Sequence, residues 1–124
     1  IGIKKFNFIN AGNLHLIIKI QKLFNYDLDT LSSKLRKRIF FKNVNISLFA
    51  FYEDGILLRT NEAGAGETLS CGSAAAASAS IYLKNKSSLK VISKGGELSI
   101  RKINDKLEMT GPAEFICEGT WLKK

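Results

Sequence analysis

The chain has 124 residues, of which 45% are hydrophobic and 24% charged, enough for one domain around one core. No apolar run is long enough to cross a bilayer, since "LHLIIKI" at 14–20 is broken by Lys19. The net charge of +8 rests mainly on lysine, as in an A+T-rich gene, and no aromatic-interleaved basic motif of a nucleic-acid binder accompanies it.

In chain order, the apolar residues at 5–9 and 15–20 flank "INAGN" and predict two strands, or one interrupted strand, around a turn. Leu28, Leu31, Leu35 and Ile39 recur at helical spacing, with Asp29 or Thr30 as the expected cap. The basic stretch "KLRKRIFFK" at 34–42 reads as the solvated end of that helix, where cations offset the carbonyl end of the dipole. "VNISLFAFY" at 44–52 alternates and "GILLRT" at 55–60 follows. Asp54-Gly55 between apolar runs signals a hairpin. A glycine-rich stretch at 64–72 leads into a predicted helix near 73–84. "LKVISK", "ELSIRKI" and "LEMTG" read as strands, with Gly95-Gly96 and Asn104-Asp105 as their turns. "AEFICEGTWL" at 113–122 reads as a last strand. No repeat or low-complexity linker interrupts this pattern.

The second predicted helix has almost no side-chain bulk. Ala74 to Ala77, Ser78, Ala79 and Ser80 leave no charged face, so the helix is expected to be buried with strands close about it. This is an α+β domain of antiparallel-looking hairpins around a central small-residue helix.

Cys71 and Cys117 are far apart and form no CxxC pair, and there is one histidine, so no zinc site is expected. No signal segment is evident. Free thiols and a cytoplasmic setting are therefore expected. Cys71 immediately precedes the small-residue helix, where free N–H groups and the positive end of the dipole favour an anion. Gly72 and Ser73 leave backbone N–H groups accessible to a carboxylate. Two readings stand at this point: a working thiol, or a small hydrophobe under a buried helix.

"NEAGAGETLSCGSAAAASA" at 61–79 resembles the second cysteine motif of diaminopimelate epimerase, of the form YERGxGETxACGTGAC. "AGNLH" at 11–15 resembles the family's GNPH, and "NVNIS" at 43–47 its NVNF strand. "GGELSI" at 95–100 and "MTGPAEFICEG" at 109–119 resemble its closing strands. The resemblance covers essentially the whole chain.

The resemblance implies a mixed, mostly antiparallel sheet rolled around a central helix. It makes residues 1–124 a single domain like the C-terminal half of the enzyme, with the N-terminal half outside this sequence. It implies a bacterial, cytoplasmic isomerase of lysine and peptidoglycan-precursor synthesis that converts LL- to meso-diaminopimelate. Two cysteines, one from each half, would move the α-proton without pyridoxal phosphate or metal. Carried over, Cys71 is one acid/base thiol, with Glu62 beside it and His15 assisting. Gly72 and Ser73 would bind the α-carboxylate. Asn13 and Asn45 would bind the distal end of the substrate. Glu67 and Thr68 match the motif and are expected to hold the loop by hydrogen bonds. Cys117 falls where the family has an apolar strand residue, so it is expected in the core and not as the second thiol.

Ala63 occupies the substrate-binding position where the family has an arginine that grips a distal carboxylate. Leu14 replaces the proline of GNPH, and Ala74 replaces a helix-start glycine. The expected partners are an amino-acid substrate and the N-terminal epimerase domain, on the same natural chain or a separate one. A homodimer is compatible with this reading, and neither nucleic acid nor membrane is expected. The chain alone is expected to be inactive. The alternatives are a related isomerase of another substrate and a non-catalytic remnant.

Overall fold

The computed structural model describes residues 5–38 and 42–123. Its elements are β1 (Phe6–Asn10), β2 (Leu14–Lys19), α1 (Leu28–Arg36), β3 (Asn45–Tyr52), β4 (Gly55–Glu62), β5 (Gly66–Thr68), α2 (Gly72–Tyr82), β6 (Ser88–Ser93), β7 (Gly96–Ile103) and β8 (Lys106–Thr110), with a 3-10 turn at Leu23–Asn25. One sheet runs β1-β2-β3-β4-β6-β7-β8, and β5 is an extra partner of β4. The β2–β3 and β4–β6 pairs are parallel and the others antiparallel. Parallel neighbours need a crossover, and α1 and α2 supply the two.

The period-2 alternation of the strands sorts side chains between two cores. Ile17, Phe49, Ile56, Leu58, Val91 and Ile100 pack around α2. Leu16, Ile18, Ile46, Leu48 and Ala50 turn the other way, onto Leu28 and Leu31 of α1. Each such large side chain taken fully out of water contributes roughly 1.5–3 kcal/mol. The helix α2 lies against β2, β6, β7 and β8. Ala74, Ala75, Ala77, Ser78 and Ala79 are buried in it, which bears out the reading of a small helix with the sheet rolled about it.

Four expectations change. The cap of α1 is Asp27, whose carboxylate accepts from the N–H and the hydroxyl of Thr30. Asp29 lies inside the helix and faces β4 and β5 instead. The helix ends at Arg36, and Ile39 lies outside the described residues. Residues 113–122 form no strand: from Gly111 onward the chain leaves the sheet, with Phe115, Ile116, Trp121 and Leu122 82–91% exposed. A strand needs a neighbour to take its N–H and C=O groups, and this segment has none among the described residues. Cys117 goes with it and is exposed, not core.

Candidate active site

The two crossovers bring the start of β2, the start of β3, the end of β4 and the N-terminus of α2 to one end of the sheet. His15 and Asn45 are register partners in the parallel pair β2–β3. Ser47 and Thr60 are partners one step along in β3–β4 and share a buried 2.9 Å hydrogen bond. Two residues beyond Thr60 on the same face of β4 comes Glu62. All of these face the side of the sheet that packs on α2.

Cys71 is the N-cap of α2 in an extended conformation (φ −136°, ψ 106°). It is only 7% exposed. Its sulfur lies 3.5 Å from the hydroxyl of Ser73, and its carbonyl accepts the N–H of Ala75. Gly72 is covered by Met109: a Cβ at that glycine would stand 3.2 Å from the Met109 methyl. The loop before Cys71 is held from behind by the β6–β7 turn. Gly95 donates a 2.7 Å hydrogen bond to the carbonyl of Leu69, and a Cβ at 95 would meet that oxygen at 3.1 Å. This close approach is why the "GG" turn ends in a residue without a side chain at 95.

His15 is fully buried. Its Nε2 lies 2.9 Å from Asn13 Oδ1. An amide oxygen only accepts, so Nε2 carries the hydrogen and Nδ1 the lone pair. Nδ1 is buried and has no hydrogen-bond partner among the described residues. Burial pushes the ring below its usual range, while the charge of Glu62 pulls the other way. His15 is thus a neutral imidazole near pH 7. Asn13 itself is exposed in the β1–β2 turn.

The turn at 62–66 is built on these strands. Asn45 Oδ1 accepts the backbone N–H of Ala63 at 2.9 Å. Glu62 Oε1 accepts the hydroxyl of Thr68 at 2.7 Å. Gly64 and Gly66 both have positive φ (+85° and +80°), a conformation a side chain would strain.

On the α1 side of the sheet lies a polar network of which motif reading found only Glu67. Arg59 grips Glu67 with two bonds of 2.7 and 2.8 Å and donates to the carbonyls of Leu23 and Tyr26. Lys94 adds a 3.2 Å contact to Glu67. Asp29 Oδ1 accepts from Asn61 Nδ2 and from the N–H of Glu67. Arg36 ties the carbonyls of Val44 and Asn61. The hydrogen bonds from Arg59 hold Glu67 below the usual carboxylate range. Glu67 and Thr68 therefore hold the loop, as expected. Besides the motif residue Glu67, the signal of the network in the sequence is Arg59, a charge inside an apolar strand.

Among the described residues no group of three or more His, Cys, Asp and Glu side chains converges on one point. No described helix is long and apolar enough to cross a membrane.

The fold and this end of the sheet define a rolled-sheet α+β domain that presents one cysteine at the N-terminus of a buried helix. The chain belongs to the diaminopimelate epimerase family, whose sequence model matches residues 7–116. It is 35% identical to an O-ureido-serine racemase of Streptomyces lavendulae over 95% of this chain and 44% of the relative. It is 34% identical to a diaminopimelate epimerase of Bacillus pumilus over 91% of this chain and 43% of the relative. The chain thus spans less than half the length of these relatives. Among solved structures, a phenazine biosynthesis PhzC/PhzF protein of Clostridium difficile superposes with a TM-score of 0.58 at 17% identity, covering 78% of this chain and 37% of that one. At that identity the likeness is one of fold.

Proposed function

We propose that residues 1–124 are one half of a two-thiol amino-acid epimerase and that Cys71 is one of its two thiols. The carrying observation is the joint position of Cys71, His15, Asn45 and Glu62. Cys71 stands at the N-cap of a buried helix, at the same end and face of the sheet as the other three. The thiolate takes the α-proton: the C–H bond breaks, an S–H bond forms, and the electron pair passes into the α-carboxylate. A thiol of the second domain then gives a proton to the opposite face. From the other enantiomer, Cys71 is the donor.

The free N–H groups of Gly72 and Ser73 bind the α-carboxylate, where charge grows as the carbanion forms. The Ser73 hydroxyl, 3.5 Å from the sulfur, donates to the thiolate. Asn13 and the Nδ2 group of Asn45 face the distal part of the substrate. The lone pair of His15 Nδ1 and the carboxylate of Glu62 are the proton relays. No pyridoxal phosphate or metal enters this scheme.

The remaining half is supplied by a domain of similar size, on the same chain or another. Four large apolar side chains beyond Gly111 at 82–91% exposure support a covering partner, since patches of this kind mark interfaces.

The substrate is diaminopimelate or an amino acid of related shape. Ala63 favours the second, because alanine cannot grip a distal carboxylate. The likeness to a racemase named for O-ureido-serine supports the same reading.

The test is α-proton exchange in D2O, followed by NMR, with the two-domain protein and a panel of free amino acids that includes LL-diaminopimelate. One substrate should lose its α-proton signal, and Cys71→Ala should abolish that loss. Exchange that survives Cys71→Ala sinks the proposal. No exchange with any member leaves the non-catalytic reading standing in its place.

A further inference from the structure

The sheet register gives this domain two poles. His15, Asn45 and Glu62 lie at the Cys71 end. Phe6, Lys19 and Phe51 lie at the other, because Phe6 pairs with Ile18 and Lys19 with Phe49. Eleven helical residues from Gly72 to Tyr82 put the poles about 16 Å apart along α2.

At the second pole a cavity of about 720 Å³ opens between β1, β3 and the end of α2. That volume is in the range of small-molecule sites. Its floor is aromatic and fixed. Phe51 and Tyr82 meet edge-to-face at 5.8 Å, Phe49 packs at 4.3 Å from Tyr82, and Asn7 Nδ2 donates to the Tyr82 hydroxyl at 3.2 Å. Its rim is cationic: Lys5, Lys19, Lys84 and Lys86. Lys19 Nζ already sits 4.5 Å over the Phe51 ring. Among the described residues no Asp or Glu lines this cavity, nor the adjoining hollow that shares Lys5 and Lys19 and adds Lys22.

The bland role for lysines here is to offset the carbonyl end of α2. That end carries roughly half an elementary charge, which one lysine covers. Four lysines exceed it, and among the described residues none of the four pairs with a carboxylate, whereas Lys90 and Lys94 do. Unpaired like charges around an apolar floor complement a ligand with a ring and a negative group.

We propose that this pole is a second binding site, separate from the Cys71 end, for a small aromatic phosphate or carboxylate. The ring lies against Phe51 and Tyr82, and the anionic group faces Lys19, Lys84 and Lys86.

The test is a titration of phenyl phosphate into the isotopically labelled protein, read by backbone amide shifts. Saturable shifts are expected at Asn7, Lys19, Phe51 and Tyr82. Inorganic phosphate and benzyl alcohol should each bind at least about tenfold more weakly, since each keeps only one of the two contacts. The triple change Lys19→Gln, Lys84→Gln and Lys86→Gln should weaken binding by at least about tenfold at low salt. Raising the salt on the unchanged protein should weaken it too, whatever the triple variant does to folding. Any of four results overturns the proposal: no saturation, parity of inorganic with phenyl phosphate, shifts confined to Cys71 and Gly72, or displacement by single-stranded DNA at a far lower concentration.

Discussion

The side-chain carbonyl of Asn45 accepts a 2.9 Å hydrogen bond from the backbone N–H of Ala63. The first residue of β3 thereby sets the turn that follows β4. The position where relatives are expected to carry an arginine is thus held by its backbone, whatever its side chain.

That bond makes Ala63→Arg a clean exchange, because the turn does not depend on the side chain at 63. A charge-assisted bidentate contact to a distal carboxylate is worth about 1.5–3 kcal/mol. In the two-domain protein, kcat/KM for diaminopimelate relative to a monocarboxylic amino acid should rise tenfold or more. An unchanged ratio would mean that position 63 does not face the distal end of the substrate.

Gly95→Ala should disturb the loop before Cys71 from a distance. The new Cβ would press on the Leu69 carbonyl at 3.1 Å, which accepts the Gly95 N–H. A loss of about 1–2 kcal/mol is expected. Urea unfolding measures it, and thiol labelling of Cys71 should quicken as the loop loosens. Labelling at the unchanged rate would argue that Leu69 does not control access to the thiol.

Arg59 and Glu67 form a pair whose side chains are only 9% and 14% exposed. Arg59→Met should cost on the order of 2–4 kcal/mol, because Glu67 is left with a buried charge and two backbone carbonyls lose a donor. The double change with Glu67→Gln should recover part of that loss. Equal losses in single and double variants would show that the carbonyl contacts of Arg59, not the ion pair, hold the loop.

Acid should weaken the fold in two stages. Glu67 titrates below its usual 4.5 because of Arg59, and His15 below its usual 6.5 because of burial. In both cases the unfolded chain binds the proton first, so stability rises with pH. The His15 contribution is complete above about pH 6.5 and is lost as pH falls through the folded value. The Glu67 contribution behaves likewise from about 4.5 downward. Denaturant midpoints between pH 8 and 3 follow both, and His15→Gln should remove only the upper stage. An upper stage that persists in that variant would acquit His15.

Trp121 is the one tryptophan in the chain and is 91% exposed. The 124-residue chain should emit as a solvated indole, and the two-domain protein should emit to the blue with less iodide quenching. Identical spectra would remove the tail as part of the domain contact.

Local chemistry was legible in the sequence. Asn104-Asp105 forms its hairpin turn, with Asn104 at φ +54°, because that choice depends on neighbouring residues alone. The alanine-serine run announced a buried helix, and the motif around Cys71 announced a helix-capping cysteine. Asp27 and Asp29 could each cap α1 by local chemistry. The choice fell to tertiary structure, which turned Asp29 toward Asn61 and Glu67. The segment 113–122 has the apolar content of a strand, but strand formation requires a partner edge, and none is present among the described residues. Likewise, the lysine-rimmed aromatic cavity joins β1, β3 and the end of α2, with its bonded pair Asn7 and Tyr82 75 positions apart in the chain. Pairing and convergence of this kind depend on which remote segments the sheet brings together. Nothing in the spacing along the chain encodes that directly.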